Sequence, residues 1–312
     1  MRRPANAAFL FYVAMILHSC NDNHIQAVLS KEDSLKLHVD RGDYLVNALV
    51  HCTYCHSQLN MKKFSPQVIP GTEGGGGIAM HEFDSTFPGK LWIPNITPAG
   101  LKDWADADIV RAITKGIRKN GDTLFPMMPY HEFSKMDKED VTAIVAYVRT
   151  LKSVDTSYPT RQLSMPLSVF GPLPDNDYTK NIKHDTADKI KYGQYLVFIS
   201  GCQGCHSPGE GTPEPGKLLA GGVEMKLPGF IVRTANLTPD TATGIGAWTE
   251  QMFIAKFRSN SSSENLSREP GKYNTIMPWS FFGKMKDNDL KAIYAYLRTV
   301  PPVNNTVIKW PE

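Results

Sequence analysis

The clearest pattern of apolar and polar positions is an amphipathic helix that occurs twice in the chain. Apolar residues recur three and four positions apart, as on one face of an α-helix, at Val141, Ile144, Val145 and Val148 and again at Leu290, Ile293, Tyr294 and Leu297. Asp137 and Asp287 lie just ahead of these runs, where an aspartate predicts a helix N-cap. The sequence shows no convincing strand alternation, so we predict a mainly α protein.

The two helices belong to a longer internal repeat. Their surroundings align as MPYHEFSKMDKEDVTAIVAYVRT from Met128 and MPWSFFGKMKDNDLKAIYAYLRT from Met277. Upstream, each half contains NITP or NLTP, followed by a tryptophan that opens another helical pattern. We therefore predict two tandem helical domains related by internal duplication. The predicted boundaries are 37–152 for the first domain, 153–187 for an irregular linker rich in Pro, Asp, Asn and Ser, 188–303 for the second domain, and 304–312 for a tail.

Each half also contains the motif C-x-x-C-H, which is the attachment signature of haem c. Two thiols three positions apart form thioether bonds to the porphyrin, and the adjacent imidazole ligates the iron. A four-cysteine zinc site has the right number of ligands, but it requires neither the adjacent histidines nor a duplicated domain. A redox cysteine pair is typical of a βαβ context, which is absent from the pattern. We predict two covalently attached haem c groups, held by Cys52, Cys55 and His56 and by Cys202, Cys205 and His206.

The ligand on the other face of each iron is predicted from what the two halves share. Met128 and Met277 align, and each is followed by proline and an aromatic residue. A thioether sulfur opposite histidine raises the potential of the iron and suits electron transfer. The rivals are weaker, because Met136 and Met285 fit core packing, and His51, His81, His131 and His184 have no aligned counterparts. His81 remains of interest because it lies in an insertion unique to the first half.

The N-terminal segment predicts export and a lipid anchor. Arg2 and Arg3 precede an apolar run that is shorter than the ~20 residues of a membrane-spanning helix. The ending LHSC is similar to a bacterial lipobox, which predicts a signal peptide over 1–19, lipidation of Cys20 and a tether over 20–36. The alternative is an ordinary signal peptide that is cut nearby. The formal charge of +3 without a basic block argues against a nucleic-acid partner.

On these motifs the chain resembles the cytochrome c subunits of membrane-bound alcohol and gluconate dehydrogenases. The resemblance rests on G-x-Y-L before C-x-x-C-H, N-[IL]-T-P, M-P-[YW] and the terminal A-[IV]-x-A-Y-[VL]-R-T helix. It implies iron ligation by His56 with Met128 and by His206 with Met277. Those subunits usually carry a third C-x-x-C-H domain, whereas this sequence contains the motif twice.

The function expected from these features is electron transfer rather than catalysis. We expect a lipid-anchored protein on the periplasmic side, with a dehydrogenase or a quinol-oxidising complex as donor and an oxidase or a small cytochrome as acceptor. The main alternative is a dihaem peroxidase with one exchangeable iron site. A dihaem thiosulfate dehydrogenase is disfavoured, because no cysteine remains as a ligand once Cys20 and the two motifs are accounted for.

Overall fold

The computed structural model describes residues 31–83, 87–181, 183–209 and 213–312. The predicted signal peptide, Cys20 and the first part of the tether lie outside the described residues. None of the helices in these ranges combines the length and the apolar character that a bilayer-spanning helix requires.

Two sets of helices follow one another in the same order. The first domain contains α1 (Lys31–Tyr44), which continues into a π-helical turn (Leu45–Leu49), α2 (Cys52–Cys55), α3 (Met80–Phe83), α4 (Asp106–Lys115), α5 (Tyr130–Phe133) and α6 (Lys138–Val148). The second contains α7 (Lys189–Ile199), α8 (Cys202–His206), α9 (Glu250–Asn260), α10 (Ser263–Ser267), α11 (Trp279–Phe282) and α12 (Asp287–Leu297). The last residues assigned to the tether, 31–36, form the first turns of α1.

Short strands are present in this mainly helical fold, although the sequence shows no convincing strand alternation. Three antiparallel pairs occur in the described residues: β1 (Leu59–Asn60) with β2 (Gln67–Val68), β3 (Gly89–Lys90) with β4 (Gln162–Leu163), and β5 (Glu224–Leu227) with β6 (Phe230–Arg233). In the longest pair Leu227 is opposite Phe230, which leaves Pro228 and Gly229 as the turn. Gly229 has a φ of 88°, the conformation that a Pro-Gly turn requires. The segment EMKLPGFIVR therefore carries a hairpin signal that a search for long strands misses.

The first and last long helices of each domain cross at a glycine. In the first domain α1 packs on α6, and a Cβ on Gly42 would lie 2.0 Å from the Ala143 carbonyl oxygen. In the second domain α7 packs on α12, and a Cβ on Gly193 would lie 1.9 Å from the Ala292 carbonyl oxygen. The absence of a side chain lets each pair of backbones approach closely, which is the structural reason for the glycine before each C-x-x-C-H motif.

An arginine at the end of each repeat hydrogen-bonds to the loop that precedes the helix after the repeated tryptophan, α4 in the first domain and α9 in the second. Arg149, after α6, donates to the carbonyl oxygens of Leu101 at 3.1 Å and Trp104 at 2.5 Å. Arg298, after α12, donates to the Gly246 carbonyl oxygen at 2.7 Å. These carbonyl groups lie ahead of α4 and α9, so the arginines fix where both helices begin.

Of the two expected N-caps, Asp137 occupies the N-cap position of its helix and Asp287 does not. Asp137 precedes α6 but makes no capping bond, because its carboxylate binds the backbone N–H and, at 2.5 Å, the Nδ1 of His184. Asp287 is the first residue of α12 rather than its cap, which is Lys286. Its carboxylate pairs with Arg258. In both cases a partner distant in sequence competes with the local helix terminus for the carboxylate.

The contacts between the domains include one tyrosine–aspartate hydrogen bond that is made twice in a crossed arrangement. Tyr44 of the first domain donates to Asp289 on α12 at 2.5 Å, and Tyr195 of the second donates to Asp140 on α6 at 2.8 Å. Tyr44 and Tyr195 occupy equivalent positions in the repeat, as do the two aspartates, so the interface has pseudo-twofold symmetry. Burial raises the pKa of both tyrosines, which keeps the hydroxyls protonated as donors. Only Asp140 also binds a guanidinium, that of Arg41, at 2.7 and 2.8 Å.

Substituting Gly193 with alanine tests the helix crossing. The added Cβ would overlap the α12 backbone, so we expect the free energy of unfolding to fall by about 1–3 kcal/mol or more. Gly204 provides the matched control, since it is also helical and a Cβ there would meet nothing within 4 Å. Guanidinium unfolding of the haem-loaded protein measures both. Equal stabilities for Gly193→Ala and Gly204→Ala would contradict the crossing argument.

Candidate haem-binding sites

Each C-x-x-C-H motif is wound into a single helical turn. α2 holds Cys52 and Cys55, and α8 holds the equivalent pair in the second domain. Residues three apart on a helix share a face, so both thiols of a motif lie on the same side. Each turn follows a left-handed residue, His51 with φ 44° and Gly201 with φ 70°. The sharp change of direction separates the motif from the preceding helix.

His51 is half-buried and packs against aromatic side chains despite its position beside the first motif. Its ring packs edge-on against Phe282 of the second domain at 5.2 Å and near Tyr54 at 6.3 Å. Burial lowers the pKa of His51 to about 4, so the imidazole is neutral at neutral pH. Its left-handed backbone is unfavourable by roughly 1–2 kcal/mol for a residue with a Cβ, and the aromatic packing compensates.

The motif histidines are held by the same hydrogen bond in both domains. His56 Nδ1 lies 2.7 Å from the Pro94 carbonyl oxygen, and His206 Nδ1 lies 2.7 Å from the Ala235 carbonyl oxygen. A carbonyl accepts only, so each Nδ1 carries the proton and each Nε2 keeps its lone pair for a metal. Burial lowers the pKa of both imidazoles, which favours the neutral form that ligates iron.

The repeated N-x-T-P segment positions these carbonyls. In the first domain the Asn95 side-chain oxygen accepts from the Thr97 backbone N–H at 2.8 Å and hydroxyl at 2.7 Å, while its amide donates to the Val154 carbonyl oxygen at 2.7 Å. The second domain repeats this set with Asn236, Thr238 and Val303 at 2.9, 2.8 and 2.8 Å. Each asparagine therefore forms an Asx turn with the threonine two residues later. The sequence did not reveal that the residue before the asparagine binds the motif histidine.

In each domain a glycine-rich loop also binds the backbone carbonyl of the motif histidine. Gly76 N–H donates to the His56 carbonyl oxygen at 2.8 Å, and Gly221 N–H donates to the His206 carbonyl oxygen at 2.7 Å. Both glycines have positive φ, 68° and 70°. A Cβ on Gly76 would lie 2.5 Å from the Ile93 carbonyl oxygen. The glycines following each motif are therefore needed for this close approach.

Met128 and Met277 lie in two turns of the same geometry. Tyr130 N–H donates to the Met128 carbonyl oxygen, and Trp279 N–H donates to the Met277 carbonyl oxygen, both at 2.8 Å. The intervening prolines have φ/ψ of −80°/56° and −78°/70°, typical of an inverse γ-turn. Both methionines are half-buried against the core. The rigid turn limits where each sulfur can lie.

The remaining methionines that recur in both halves, and the histidines without an aligned counterpart, have packing or hydrogen-bonding roles. Met136 and Met285 are 0% and 2% exposed, in agreement with their interpretation as core. His184 is bound to Asp137, and His131 is exposed beside Tyr130. His81 packs edge-on against Trp92 at 4.9 Å.

Each half of the chain matches a known protein family. Residues 190–301 match the family Cytochrome c, and residues 38–148 match the family Cytochrome C oxidase, cbb3-type, subunit III. The chain contains two cytochrome c domains. They support two covalently bound haem c groups with iron, and the mainly α tandem architecture predicted from the repeat is confirmed.

Relatives of these cytochrome c domains are named as cytochrome c subunits or cytochrome c-type proteins. The alcohol dehydrogenase (quinone) cytochrome c subunit of Gluconacetobacter polyoxogenes is 32% identical over 85% of this chain and 56% of the relative. The gluconate 2-dehydrogenase cytochrome c subunit of Pantoea cypripedii is 28% identical over 88% of this chain and 62% of the relative. A diheme cytochrome c-type protein of Cereibacter sphaeroides is 26% identical over 81% of this chain and 82% of the relative. The chain spans little more than half the length of the dehydrogenase subunits it matches.

The motif cysteines are not grouped as the zinc site considered above. In the described ranges no three His, Cys, Asp or Glu side chains come together as a metal site. Burial raises the pKa of Cys52 and Cys202 to about 12. Cys55 and Cys205 keep exposed surface, but crowding by protein atoms, followed by the proximity of Cys205, raises the pKa of Cys55 to about 11. The two motifs therefore approach each other at their second cysteines.

Removing the Asn236 side chain tests the support of the histidine-binding carbonyl. Asn236→Ala deletes the buried bonds to Thr238 and Val303, and an unsatisfied buried group costs about 1–3 kcal/mol. We expect the unfolding free energy of the haem-loaded protein to fall by that amount. Asn120→Ala is the control, because Asn120 is exposed and its side chain hydrogen-bonds to the side chain and backbone N–H of Asp122. A loss no larger than in the control would show that the asparagine turn is dispensable.

Proposed function

We propose that the protein is an exported dihaem electron carrier in which each iron is bound by two protein side chains. Thioether bonds to Cys52 and Cys55, and to Cys202 and Cys205, attach the haems. His56 and Met128 ligate one iron, and His206 and Met277 ligate the other. When bound, each haem supplies a reversible one-electron exchange between Fe(II) and Fe(III).

One observation carries the proposal: the second domain repeats the ligand-holding geometry of the first. In both domains the histidine Nδ1 bonds to a backbone carbonyl oxygen at 2.7 Å. In both domains the methionine begins an inverse γ-turn closed at 2.8 Å. An enzyme with one exchangeable iron would need only one such pair, so the symmetry favours a carrier over the peroxidase alternative.

The proximity of the motifs supports electron exchange within the molecule. Cys205 lies close enough to Cys55 to raise the pKa of Cys55. Haems held by these two motifs would therefore exchange electrons across the domain interface.

The proposed donor is a dehydrogenase, because two of the relatives described above are named cytochrome c subunits of dehydrogenases. A quinol-oxidising complex is the alternative donor, and an oxidase or a small cytochrome is the proposed acceptor. We place the protein on the periplasmic side of a membrane, attached through a lipid on Cys20. This location rests on the basic start, the apolar run and the LHSC ending of the sequence.

Changing each methionine separately tests the ligand assignment. Met128→His and Met277→His replace a thioether, which stabilises Fe(II), with imidazole. We expect each variant to lower the potential of one haem by on the order of 0.1 V, a fraction of the roughly 0.8 V range that axial ligands span. A spectroelectrochemical titration resolves the two haems.

The chain offers matched controls in its other repeated methionines. Met136 and Met285 are buried in the core, so Met136→Leu and Met285→Leu should leave both potentials near those of the wild type. Unchanged potentials in Met128→His and Met277→His would overturn the assignment.

A further inference from the structure

We propose that Ser65 is a positioning residue for Met277, so that the first domain fixes the ligand loop of the second haem. The inference rests on the proposed ligation by Met277. It adds a dependence between the domains that the internal repeat does not contain.

The Ser65 hydroxyl bridges the turn that begins at Met277. It donates to the Met277 carbonyl oxygen at 2.7 Å and accepts from the Trp279 N–H at 2.8 Å. Ser65 is 0% exposed, so no water competes for these bonds. A hydroxyl is one of the few groups that can donate and accept at once, and here it binds both ends of the turn.

The backbone of Ser65 is itself held in place by the second domain. Its N–H donates to the Asn274 side-chain oxygen at 3.0 Å, and the Asn274 amide donates to the Lys63 carbonyl oxygen at 2.9 Å. The adjacent Phe64 N–H donates to the Arg268 carbonyl oxygen at 2.8 Å. Ser65 has a φ of 53°, and such a conformation persists where the surroundings determine it firmly. The segment 61–65 is therefore docked onto the second domain at fixed points.

A residue of the first haem motif also contacts the loop that contains Met277. Tyr54, between Cys52 and Cys55, directs its hydroxyl to the Ile276 carbonyl oxygen at 3.4 Å. Its ring packs edge-on against Phe281 at 5.5 Å. First-domain residues therefore contact the chain on both sides of Met277.

The loop of Met128 has no such support. In the described part of the chain, no side chain of the second domain hydrogen-bonds to residues 128–130, and the Met128 carbonyl oxygen accepts from Tyr130 of its own turn. Pro126 stands where the second repeat has Thr275, whose hydroxyl accepts from the Met277 N–H at 3.2 Å. Among the described residues, the turn at Met277 is thus hydrogen-bonded by a side chain of the other domain, whereas the turn at Met128 is not.

The test removes the Ser65 hydroxyl from the full-length, haem-loaded protein in which Met128→His leaves Met277 as the only axial methionine. We expect Ser65→Ala to raise the fraction of detached Met277 about 5- to 30-fold, the effect of losing one or two kcal/mol. The readouts are the methionine-to-iron charge-transfer band of the oxidised protein, the potential of the second haem and carbon monoxide binding by the reduced protein. The band should weaken, the potential fall and binding appear at the second haem.

A second variant separates ligand positioning from general destabilisation. Ser65→Gly removes the hydroxyl but relieves the left-handed backbone, so the same spectral loss should occur without a lower melting temperature. Ser134→Ala is the control, since Ser134 is a 2% exposed serine of the same domain that bonds to the His131 carbonyl oxygen at 2.8 Å. It should leave the band and both potentials unchanged.

The outcomes distinguish this inference from the ligand assignment. If Met277→His leaves the second potential unchanged, the ligand itself is wrong and the positioning role falls with it. If Met277→His lowers that potential while Ser65→Ala and Ser65→Gly match the control in all three readouts, only the positioning role of Ser65 is overturned.

Discussion

The hydrogen bond from each motif histidine to a backbone carbonyl is the interaction on which the rest of the structure depends. It sets the tautomer and the direction of the ring, and it is made at 2.7 Å in both domains. The carbonyl is held in turn by the asparagine turn, and the asparagine is held by the Val154 or Val303 carbonyl oxygen. In each domain the asparagine is therefore held by the segment that follows the last helix. The start of the linker and the end of the second repeat thus help to position the motif histidines.

Duplication explains the symmetry of the interface, and later divergence explains its asymmetry. The crossed pairs Tyr44–Asp289 and Tyr195–Asp140 use equivalent residues, as two copies of one domain would when facing each other. Against this background, segment 61–65 binds the Met277 loop, and the described residues of the second domain make no equivalent hydrogen bond to the Met128 loop. Two haem sites with the same ligand set can therefore differ in how firmly the methionine is held.

Much of the architecture could be predicted from sequence, because the haem motif, the helix pattern and the repeat are local signals. The two domains and their helices follow from them. Contacts between distant residues could not be predicted. The Asp137 carboxylate binds His184 instead of the first turn of α6, and His51 packs against Phe282 of the other domain. The strands were missed because they are only two to four residues long, too short to show a period. The bonds of Ser65 depend on how the domains dock, which no pattern within one repeat encodes.

Carbon monoxide binding tests the proposal that each iron is bound by two protein side chains. The optical spectrum of the dithionite-reduced, wild-type protein is recorded before and after the gas is added. No change is expected, because a histidine and a methionine are the proposed ligands of each iron. A shift in about half of the haem absorbance, as expected for one exchangeable haem of two, would contradict it and favour an enzyme that reacts at that iron.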